Sequence, residues 1–410
     1  MKLLSNLLAL PSILTITMLC ISCSTNDENN LEPFNSITKS KEVVSSNNAF
    51  AFSLFKEVLQ DEEKANVMIS PVSASLALGM VYNGANGDTK QAFSNIFNYG
   101  NTTLEETNVV NQNIINYITE TTSSSTFNIA NSLWVNNTFP VHASFIDVNK
   151  TFYYAEVQNK DFNNPKTLEA ISDWCSNKTN GKIPNALDVI SPQAAMYAIN
   201  ALYFKSTWKH EFKKENTKPE AFYLNDNTET LVDMMTTQHD LKYLTNDLFS
   251  AVQLPYKNDK YIMTLILPNT DKQINDVIIE MNSQNWETWQ NNYQPQEIKL
   301  SIPKFKFSYG KKLNNSLTNL GLGIAFSDYA DFSGISDIPT KISSVLQKTF
   351  IEVNEEGTEA AAVTVIEIET TSVGNQPKQL VLNKTFLFTI TEKETGSICF
   401  MGKVGNPAIN

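Results

Sequence analysis

The chain has 410 residues, of which 41% are hydrophobic, and it carries a formal net charge of −12 without a single arginine. This hydrophobic content supports a sizeable core, which excludes a disordered chain, and the acidic balance excludes nucleic acid as an expected partner. Without arginine there is no guanidinium recognition of phosphate, and histidine chemistry is confined to His142, His210 and His239. No linker or repeat interrupts residues 48–410, so we expect one large domain there.

The N-terminus has the layout of a secretory signal peptide. Its apolar run over residues 7–21 is too short and too interrupted to span a membrane. Ser22 and Cys23 resemble a bacterial lipoprotein processing site, where the cysteine becomes the lipidated first residue of the mature chain. A simple cleaved secretory signal is the alternative. We therefore expect a signal peptide over 1–22, a lipidated Cys23 with a flexible tether over 23–47, and an outward-facing lipoprotein of the outer membrane or cell surface.

Helices are predicted mainly in the first half of the chain. Ser70 before Pro71 is an N-cap followed by the preferred first helical residue, which predicts a buried helix over 71–83. Amphipathic patterns predict two more helices over 103–121 and 164–180. Extended patterns predict strands over 127–135, 195–205, 260–267, 298–309, 344–354 and 385–392. This distribution indicates the α+β class with large mixed or antiparallel sheets.

Local motifs for catalysis or cofactor binding are absent from the sequence. There is no H-E-x-x-H, G-x-S-x-G, G-x-G-x-x-G or Walker lysine. Cys175 and Cys399 each lie in an apolar pattern, so both are predicted to be small buried hydrophobic residues. We expect no metal, cofactor or redox site. A hydrolase assembled from distant residues stays open as an alternative.

The most informative segment covers residues 355–377. If it is extended, Thr358, Ala360 and Ala362 share an uncharged face, whereas Glu359 and the later glutamates lie on the other face. The uncharged face is small at its start and β-branched further on, which suits a strand that enters a tightly packed sheet. An ordinary half-buried strand is the alternative interpretation of the alternation alone.

The residues EEGTEAAA at 355–362 closely resemble the hinge of the reactive-centre loop of serpins. Other segments resemble serpin signatures in the order that the family has them. They are NVMISPVS (66–73), GANGDT (84–89), NALYFKSTW (200–208), DMM (233–235), LPY (254–256), LILP (265–268), IPKF (302–305), ADFSGI (330–335) and FMGKVGNP (400–407). The chain is identified as a member of this family from motifs that cover residues 66–407.

The resemblance implies a serpin fold with three β-sheets, eight or nine helices and an exposed reactive-centre loop at about 355–378. It implies a monomeric, suicide-type inhibitor of serine or cysteine endopeptidases that supplies no catalytic group and is not an enzyme. The target protease cleaves the loop and forms a covalent acyl-enzyme complex, and the loop then inserts as a strand into the central sheet. A non-inhibitory serpin that acts as a surface binding protein is the alternative.

Site residues follow from the resemblance position by position. Counting from the hinge glycine places the cleaved bond between Thr371 and Ser372, with Thr370 or Glu369 as alternative positions. The small β-branched Thr371 favours elastase-like targets. The hinge positions are Glu355, Gly357, Thr358, Ala360, Ala361 and Ala362; the sheet-opening cluster is Ser70, Ser73, Asn200 and Gln347; and the loop entry is Trp208 and Lys304.

Two features of the sequence differ from what serpins often have. Gln347 stands where the family usually has a histidine, and its amide cannot titrate near neutral pH. Residues 101–126, which correspond to the usual glycosaminoglycan-binding helix, contain no lysine, so no glycosaminoglycan partner is expected. Lys304 and Glu355 are expected to form a salt bridge beside the hinge.

Overall fold

The computed structural model describes residues 31–409 except 121, 123, 227 and 359–376. One compact unit covers Pro33–Asn410. Among the described residues, no helix combines the length and the apolar character that crossing a bilayer requires.

The described residues contain nine α-helices. The predicted helices over 71–83, 103–121 and 164–180 are confirmed, with ends that differ by a few residues. The Ser70 side chain caps the second helix by accepting from the Ser73 amide, and Pro71 is its first residue. The helices are α1 (Ser40–Gln60), α2 (Pro71–Tyr82), α3 (Gly87–Phe97), α4 (Leu104–Thr119), α5 (Ala143–Tyr153), α6 (Lys166–Lys178), α7 (Ile274–Glu280), α8 (Ser283–Asn291) and α9 (Asn314–Leu317).

Fifteen strands in the described residues form two hydrogen-bonded sheets. They are β1 (Val67–Ile69), β2 (Ser125–Asn136), β3 (Glu156–Lys160), β4 (Met196–Thr207), β5 (Lys218–Tyr223), β6 (Glu229–Thr245), β7 (Phe249–Pro255), β8 (Tyr261–Pro268), β9 (Gln294–Pro303), β10 (Phe305–Lys312), β11 (Leu346–Val353), β12 (Gly357–Thr358), β13 (Lys378–Val381), β14 (Phe386–Glu392) and β15 (Ile398–Val404).

The two sheets differ in how their strands are ordered. The six-stranded sheet has the order β10-β11-β12-β4-β2-β3, and the nine-stranded sheet has the order β1-β15-β14-β8-β7-β6-β9-β13, with β5 paired to the first part of β6 on the same side as β7. Strand β6 pairs with β5 along its first part and with β7 at its end, so the strands expected to form a third sheet are continuous with the nine-stranded one. The predicted α+β class is confirmed.

Helix α2 and an aromatic cluster form the core that joins the two sheets. Helix α2 packs against β4 of the six-stranded sheet and against β15 of the nine-stranded sheet. The rings of Phe127 and Phe204, from the first sheet, meet those of Tyr261 and Phe400, from the second, at centroid distances of 5.1 to 6.3 Å. Such ring pairs stabilise a core beyond the area they bury, so the two sheets are held in one fixed relation.

Two predicted boundaries are wrong. The tether was expected to reach residue 47, but α1 begins at Ser40, and Phe34 is buried with its ring 5.3 Å from that of Tyr117. The polar composition of residues 33–47 hid the few apolar residues that anchor them. The single strand predicted over 298–309 is divided at Lys304, whose amide makes the last bond to β6 at the Asp233 carbonyl, 2.8 Å away, before the chain joins the other sheet as β10.

Candidate functional site

The two-residue strand β12 lies between β11 and β4 of the six-stranded sheet. Thr358 pairs antiparallel with Val353 of β11 on one side and with Ser206 of β4 on the other. Within the described residues, β11 and β4 share no direct register and are joined only through β12. The sheet therefore contains the beginning of a strand between two longer neighbours.

Gly357 is required by the close approach of β12 to β4. A β-carbon at this position would lie 2.1 Å from the Ser206 carbonyl oxygen and 2.7 Å from the Thr207 α-carbon. Both are backbone atoms of a paired strand, so they cannot move aside as a flexible side chain can. Only glycine allows the chain to turn into the sheet at this point.

The Thr358 side chain contacts Tyr256, which is in turn packed against Trp208. Thr358 is 3% exposed, and its hydroxyl lies 2.7 Å from the Tyr256 hydroxyl. Burial raises the pKa of Tyr256, so the phenol keeps its proton for this hydrogen bond. The Trp208 ring stacks on Tyr256 at 4.5 Å, and its Nε1 donates to the Asn354 carbonyl at 2.9 Å. The Thr358 hydroxyl is thus buried together with a hydrogen-bond partner.

The backbone that leads into β12 is held by the segment 208–212, which we call the clasp. The Trp208 amide donates to the Glu356 carbonyl at 2.9 Å, and the Phe212 amide donates to the Glu355 carbonyl at 2.8 Å. On the hinge side, the Asn354 side-chain oxygen accepts from the amides of Glu356 and Gly357 at 3.0 and 3.2 Å. These bonds fix the direction in which the chain enters the sheet.

Two hinge glutamates form ion pairs with lysines. Glu355 lies 3.2 Å from Lys304 Nζ, and its other oxygen accepts from the Thr217 hydroxyl at 2.9 Å. Glu356 lies 3.0 Å from Lys214 Nζ. Burial alone would raise the pKa of Glu355, but its backbone hydrogen bond, Thr217 and Lys304 together outweigh burial and lower it. The carboxylate form is therefore the one that holds the hinge.

This lowered pKa predicts a pH dependence of the hinge. A carboxyl group whose pKa is lower in the folded state stabilises the fold above its unfolded pKa and loses that contribution as the pH falls through its folded pKa. We expect wild type to lose about 1 kcal/mol more than Glu355→Gln between about pH 5 and pH 3. Urea unfolding at several pH values measures this difference.

The control for this experiment is Glu352→Gln. Glu352 of β11 pairs with Lys306 of β10 at 3.2 Å in the same sheet, away from the hinge contacts. This variant is expected to keep the wild-type pH dependence. An equal loss of pH dependence in both variants would contradict the role of Glu355.

A cavity of about 150 Å³ lies between β4 and β11, at the ends of these strands that are far from β12. Its lining includes Tyr197 and Ile199 of β4, Leu346 of β11, and Leu187 from the segment after α6. Cys175 of α6 also faces this cavity, and burial raises the pKa of its thiol to about 12, so it stays protonated. Cys175 and Cys399 are both buried, as predicted.

The four residues of the predicted sheet-opening cluster form one hydrogen-bonded path across the base of this cavity. Gln347 of β11 makes two bonds with the backbone of Ser70, accepting from its amide at 2.9 Å and donating to its carbonyl at 2.8 Å. The Ser70 hydroxyl accepts from the Ser73 amide, and the Ser73 hydroxyl donates to the side-chain oxygen of Asn200 of β4. Asn200 then donates to Asn131 of β2 at 2.6 Å.

Gln347 therefore takes the place of the usual histidine ring. Its side-chain amide satisfies one buried backbone donor and one buried backbone acceptor. We expect Gln347→Leu to lower the free energy of unfolding by about 2 kcal/mol, because the buried Ser70 amide loses its partner, whereas the Ser70 carbonyl keeps the Ala74 amide. Gln347→Glu keeps an acceptor for the Ser70 amide but brings a buried carboxylate oxygen against the Ser70 carbonyl, so a loss at least as large is expected at pH 7. Urea unfolding at pH 7 compares the two variants, and equal stability of wild type and Gln347→Leu would contradict this account.

The remaining predicted positions lie outside the described residues. These are the reactive bond Thr371–Ser372, the hinge alanines Ala360, Ala361 and Ala362, and Cys23. Within the described part, the structure brings Glu355, Gly357, Thr358, Trp208 and Lys304 into one contact region, and it places Ser70, Ser73, Asn200 and Gln347 in a second region further along the same strands.

Three contacts of the hinge were not predicted. The Tyr256 hydroxyl contacts the Thr358 hydroxyl, and the Asn354 side chain accepts from the Gly357 amide. The Phe212 amide donates to the Glu355 carbonyl. The LPY motif at 254–256 offered a signal for Tyr256, because it was one of the signatures that resembled the family. Nothing local distinguishes Phe212, whose contribution is a backbone amide.

Comparison with known proteins gives the same family over most of the chain. The family model "Serpin (serine protease inhibitor)" matches residues 45–407. A serpin-like protein of Methanosarcina acetivorans is 34% identical, covering 96% of this chain and 97% of its own length. Human Serpin I2 is 32% identical, covering 88% of this chain and 91% of its own length. The chain belongs to the serpin family.

Solved structures show the same fold in both binding and thermophilic members of the family. Human thyroxine-binding globulin in complex with thyroxine superimposes with a TM-score of 0.83 at 27% identity, covering 90% of this chain and 100% of that chain. The thermophilic serpin tengpin in its native state gives a TM-score of 0.81 at 31% identity, covering 89% and 94%. The family is generally protease-inhibitory, and thyroxine-binding globulin shows that it also includes non-inhibitory members.

Proposed function

We propose that this protein is a suicide-type inhibitor of serine endopeptidases. The observation that carries the proposal is β12, which already occupies a strand position between β11 and β4. In the proposed reaction the nucleophile of the protease attacks the carbonyl carbon of Thr371. The bond to Ser372 breaks, the new amine leaves, and Thr371 stays esterified to the protease. Residues after Thr358 then extend β12 into the sheet.

The registers on the two sides of β12 support this extension. Continuing six residues from Thr358 reaches Thr364, which falls opposite Asn200 in the β4 register and opposite Gln347 in the β11 register. Two independent registers thus bring one hydroxyl to both ends of the hydrogen-bonded path. A threonine at this position can share donors and acceptors with both amides.

The same registers account for the small residues of the hinge. Ala360 falls opposite Phe204 of β4 and Ile351 of β11, which are both buried. A large side chain would have to enter a packed interior at this position, whereas alanine fits without displacing either neighbour. About ten new ladder hydrogen bonds at about 1 kcal/mol each then provide energy to distort the attached protease.

The bait sequence supports elastase-like targets. Thr371 is small and β-branched, and no lysine lies between Gly357 and Pro377. A pocket that requires a cation would find no partner in this stretch. Thr370 is the alternative if the register shifts by one residue, and Glu369 is the alternative for a glutamate-specific protease.

The similarity to thyroxine-binding globulin favours a second candidate function, that of a non-inhibitory surface binding protein. Such a protein has no need to insert its loop. The buried contact of Thr358 with Tyr256 and the small residues that follow it favour insertion instead. Reaction with proteases separates the two functions.

The test is incubation with an elastase-like and a trypsin-like serine protease, followed by denaturing electrophoresis and mass spectrometry of the released fragment. An inhibitor is expected to form an SDS-resistant 1:1 complex with the elastase-like protease and to release a fragment that begins at Ser372. Thr371→Lys is expected to transfer the complex to the trypsin-like protease. Cleavage of the loop without any complex, by every protease in the panel, would overturn the proposal in favour of the binding function.

We also propose that the protein acts outside the cell, tethered through Cys23. The apolar run and the small residue before Cys23 support export and lipidation. Metabolic labelling with an alkyne fatty acid is expected to label wild type and Cys20→Ala but not Cys23→Ala, which is also expected to appear in the soluble fraction. Equal labelling of the Cys23→Ala variant would contradict lipidation at this residue.

A further inference from the structure

The cavity between β4 and β11 lies along the open edge of β4. Residues 196–200 of β4 are consecutive half-buried positions, whereas the residues of β2 that pair with them are buried. Because successive side chains of a strand point to opposite faces, exposure of a single face would alternate along β4. Ala77 of α2 is also half-buried, although Leu76 and Leu78 on either side of it are buried. The cavity is therefore bounded by α2 on one face of the sheet and by the segment after α6 on the other.

The wall of this cavity suits an apolar guest. Its lining includes Leu78 and Val81 of α2 and Ile199 of β4. The polar side chains at its base already bond to one another along the path from Gln347 to Asn200. An apolar cavity of about 150 Å³ holds a molecule about the size of benzene. A chain of about six carbons is therefore the size of guest that fits.

A lysine lies at the boundary between this cavity and water. Lys348 of β11 is part of the lining, and its side chain is 27% exposed. It pairs with Asp188 at 3.0 Å, and the Asp188 side chain is 84% exposed. An ion pair with so exposed a carboxylate contributes little to stability, so Asp188 can turn into water and leave Lys348 to another carboxylate. Exposed apolar side chains, those of Val189 and Ile338, follow or precede lining residues by two positions.

We infer that this cavity binds a short alkyl carboxylate, with its chain between β4 and β11 and its carboxylate at Lys348. Continuing both registers of β12 two residues beyond Thr364 brings Ile366 opposite Ala198 of β4 and opposite Val345, which both line the cavity. A bound chain and Ile366 therefore require the same space. The ligand slows insertion of the loop relative to hydrolysis of the acyl-enzyme. This effect on inhibition rests on the proposed function, whereas the binding itself does not.

The first experiment titrates the protein with hexanoate in a calorimeter. Wild type is expected to show one saturable site with a Kd of about 1 mM or lower. Hexylammonium has the same chain with a cation, so it is expected to bind at least about tenfold more weakly. Lys348→Gln is expected to weaken hexanoate binding at least about fivefold. Lys306→Gln is the matched control, because Lys306 lies in the same sheet but not in the lining, and wild-type affinity is expected.

Two further substitutions fill the cavity from different walls. Ala77→Phe adds a benzene ring from α2, and Ala198→Leu adds a branched aliphatic group from β4. Each is expected to lower the affinity for hexanoate at least about tenfold, and if one variant fails to fold the other supplies the test. Absence of saturable binding to wild type, or wild-type affinity in a folded filling variant, would overturn the site. Equal binding of hexylammonium and hexanoate would overturn the role of Lys348.

The second experiment adds saturating hexanoate to the reaction with the elastase-like protease. The ratio of SDS-resistant complex to cleaved inhibitor is expected to fall at least about fivefold. Activity of the protease alone on a small peptide, with and without hexanoate, is the control. An unchanged ratio at saturation would overturn competition between the ligand and the loop. Failure to form any complex without hexanoate would instead refute the proposed function, while the titration, which needs no protease, still decides the site.

Discussion

Thr358→Arg is expected to convert the protein from an inhibitor into a substrate of its target protease. Thr358 is 3% exposed, and its hydroxyl contacts the buried Tyr256 hydroxyl at 2.7 Å. In the folded protein an arginine at this position must either bring an unpaired charge into this site, which costs several kcal/mol, or keep β12 out of the sheet, so that the strand has to enter it after cleavage. Insertion then becomes slower than hydrolysis of the acyl-enzyme. We expect the yield of SDS-resistant complex to fall at least about tenfold.

The reaction with Thr358→Arg should separate binding of the bait from insertion. Thr371, whose carbonyl is attacked, is thirteen residues away in sequence, so the rate of cleavage is expected to stay within about twofold of wild type. Thr358→Ser keeps the hydroxyl and is the matched control, with wild-type complex yield. If Thr358→Arg forms complex as efficiently as Thr358→Ser, insertion does not pass through this site.

Gly357→Ala is expected to detach the hinge from β4. The new methyl group would lie 2.1 Å from the Ser206 carbonyl oxygen, far inside the contact distance of any pair of atoms. The two obstructing atoms, the Ser206 carbonyl oxygen and the Thr207 α-carbon, belong to the backbone of a paired strand. Because they cannot move aside, β12 must leave the sheet and lose its hydrogen bonds to β4. We expect the free energy of unfolding in urea to fall by about 2 kcal/mol or more and the complex yield to fall with it.

Gly310→Ala is the control for this substitution in the same six-stranded sheet. A β-carbon on Gly310 of β10 would lie 3.5 Å from the Lys348 side chain, which is an ordinary contact. Both substitutions reduce the conformational freedom of the unfolded chain in the same way, so their difference isolates the clash. Equal stability of the two variants would show that β12 does not approach β4 as closely as described.

The sequence predicted those elements whose signals are local. Helix α2 was located because Ser70 and Pro71 are a cap and a first-turn residue, and that cap is present in the structure. The small, uncharged face of the hinge was identified from alternation, and Thr358 is buried in the sheet as its pattern suggested. The family followed from motifs spread over residues 66–407, and the family model confirms it.

Other features depend on contacts between distant residues. Strand β6 was not predicted, because its 17 residues mix charged and apolar side chains and its register is set by β5, β7 and β9 together. The break at Lys304 follows from a change of sheet, because β9 pairs with β6 in the nine-stranded sheet and β10 pairs with β11 in the six-stranded sheet. The clasp escaped prediction for the same reason, since two of its contributions are backbone amides that any residue possesses.

The structure also changes how Gln347 is interpreted. From the sequence, Gln347 was seen only as an amide in place of the usual histidine that cannot titrate near neutral pH. In the structure, the glutamine amide bonds both backbone groups of Ser70 and keeps its donor and its acceptor at any pH near neutral, whereas an imidazole loses its acceptor when it is protonated. The connection between β11 and α2 is therefore complete without a titrating group.

The two residues of β12 have a kinetic consequence. In cooperative growth of ordered structure the slow step is the first turn or pair, and each later residue adds its bonds in a chain that is already aligned. Thr358 is already in register with both of its neighbours, so the nucleus of the new strand is present before any protease arrives. Insertion then proceeds by elongation alone, and its speed depends on how fast β4 and β11 separate ahead of the growing end.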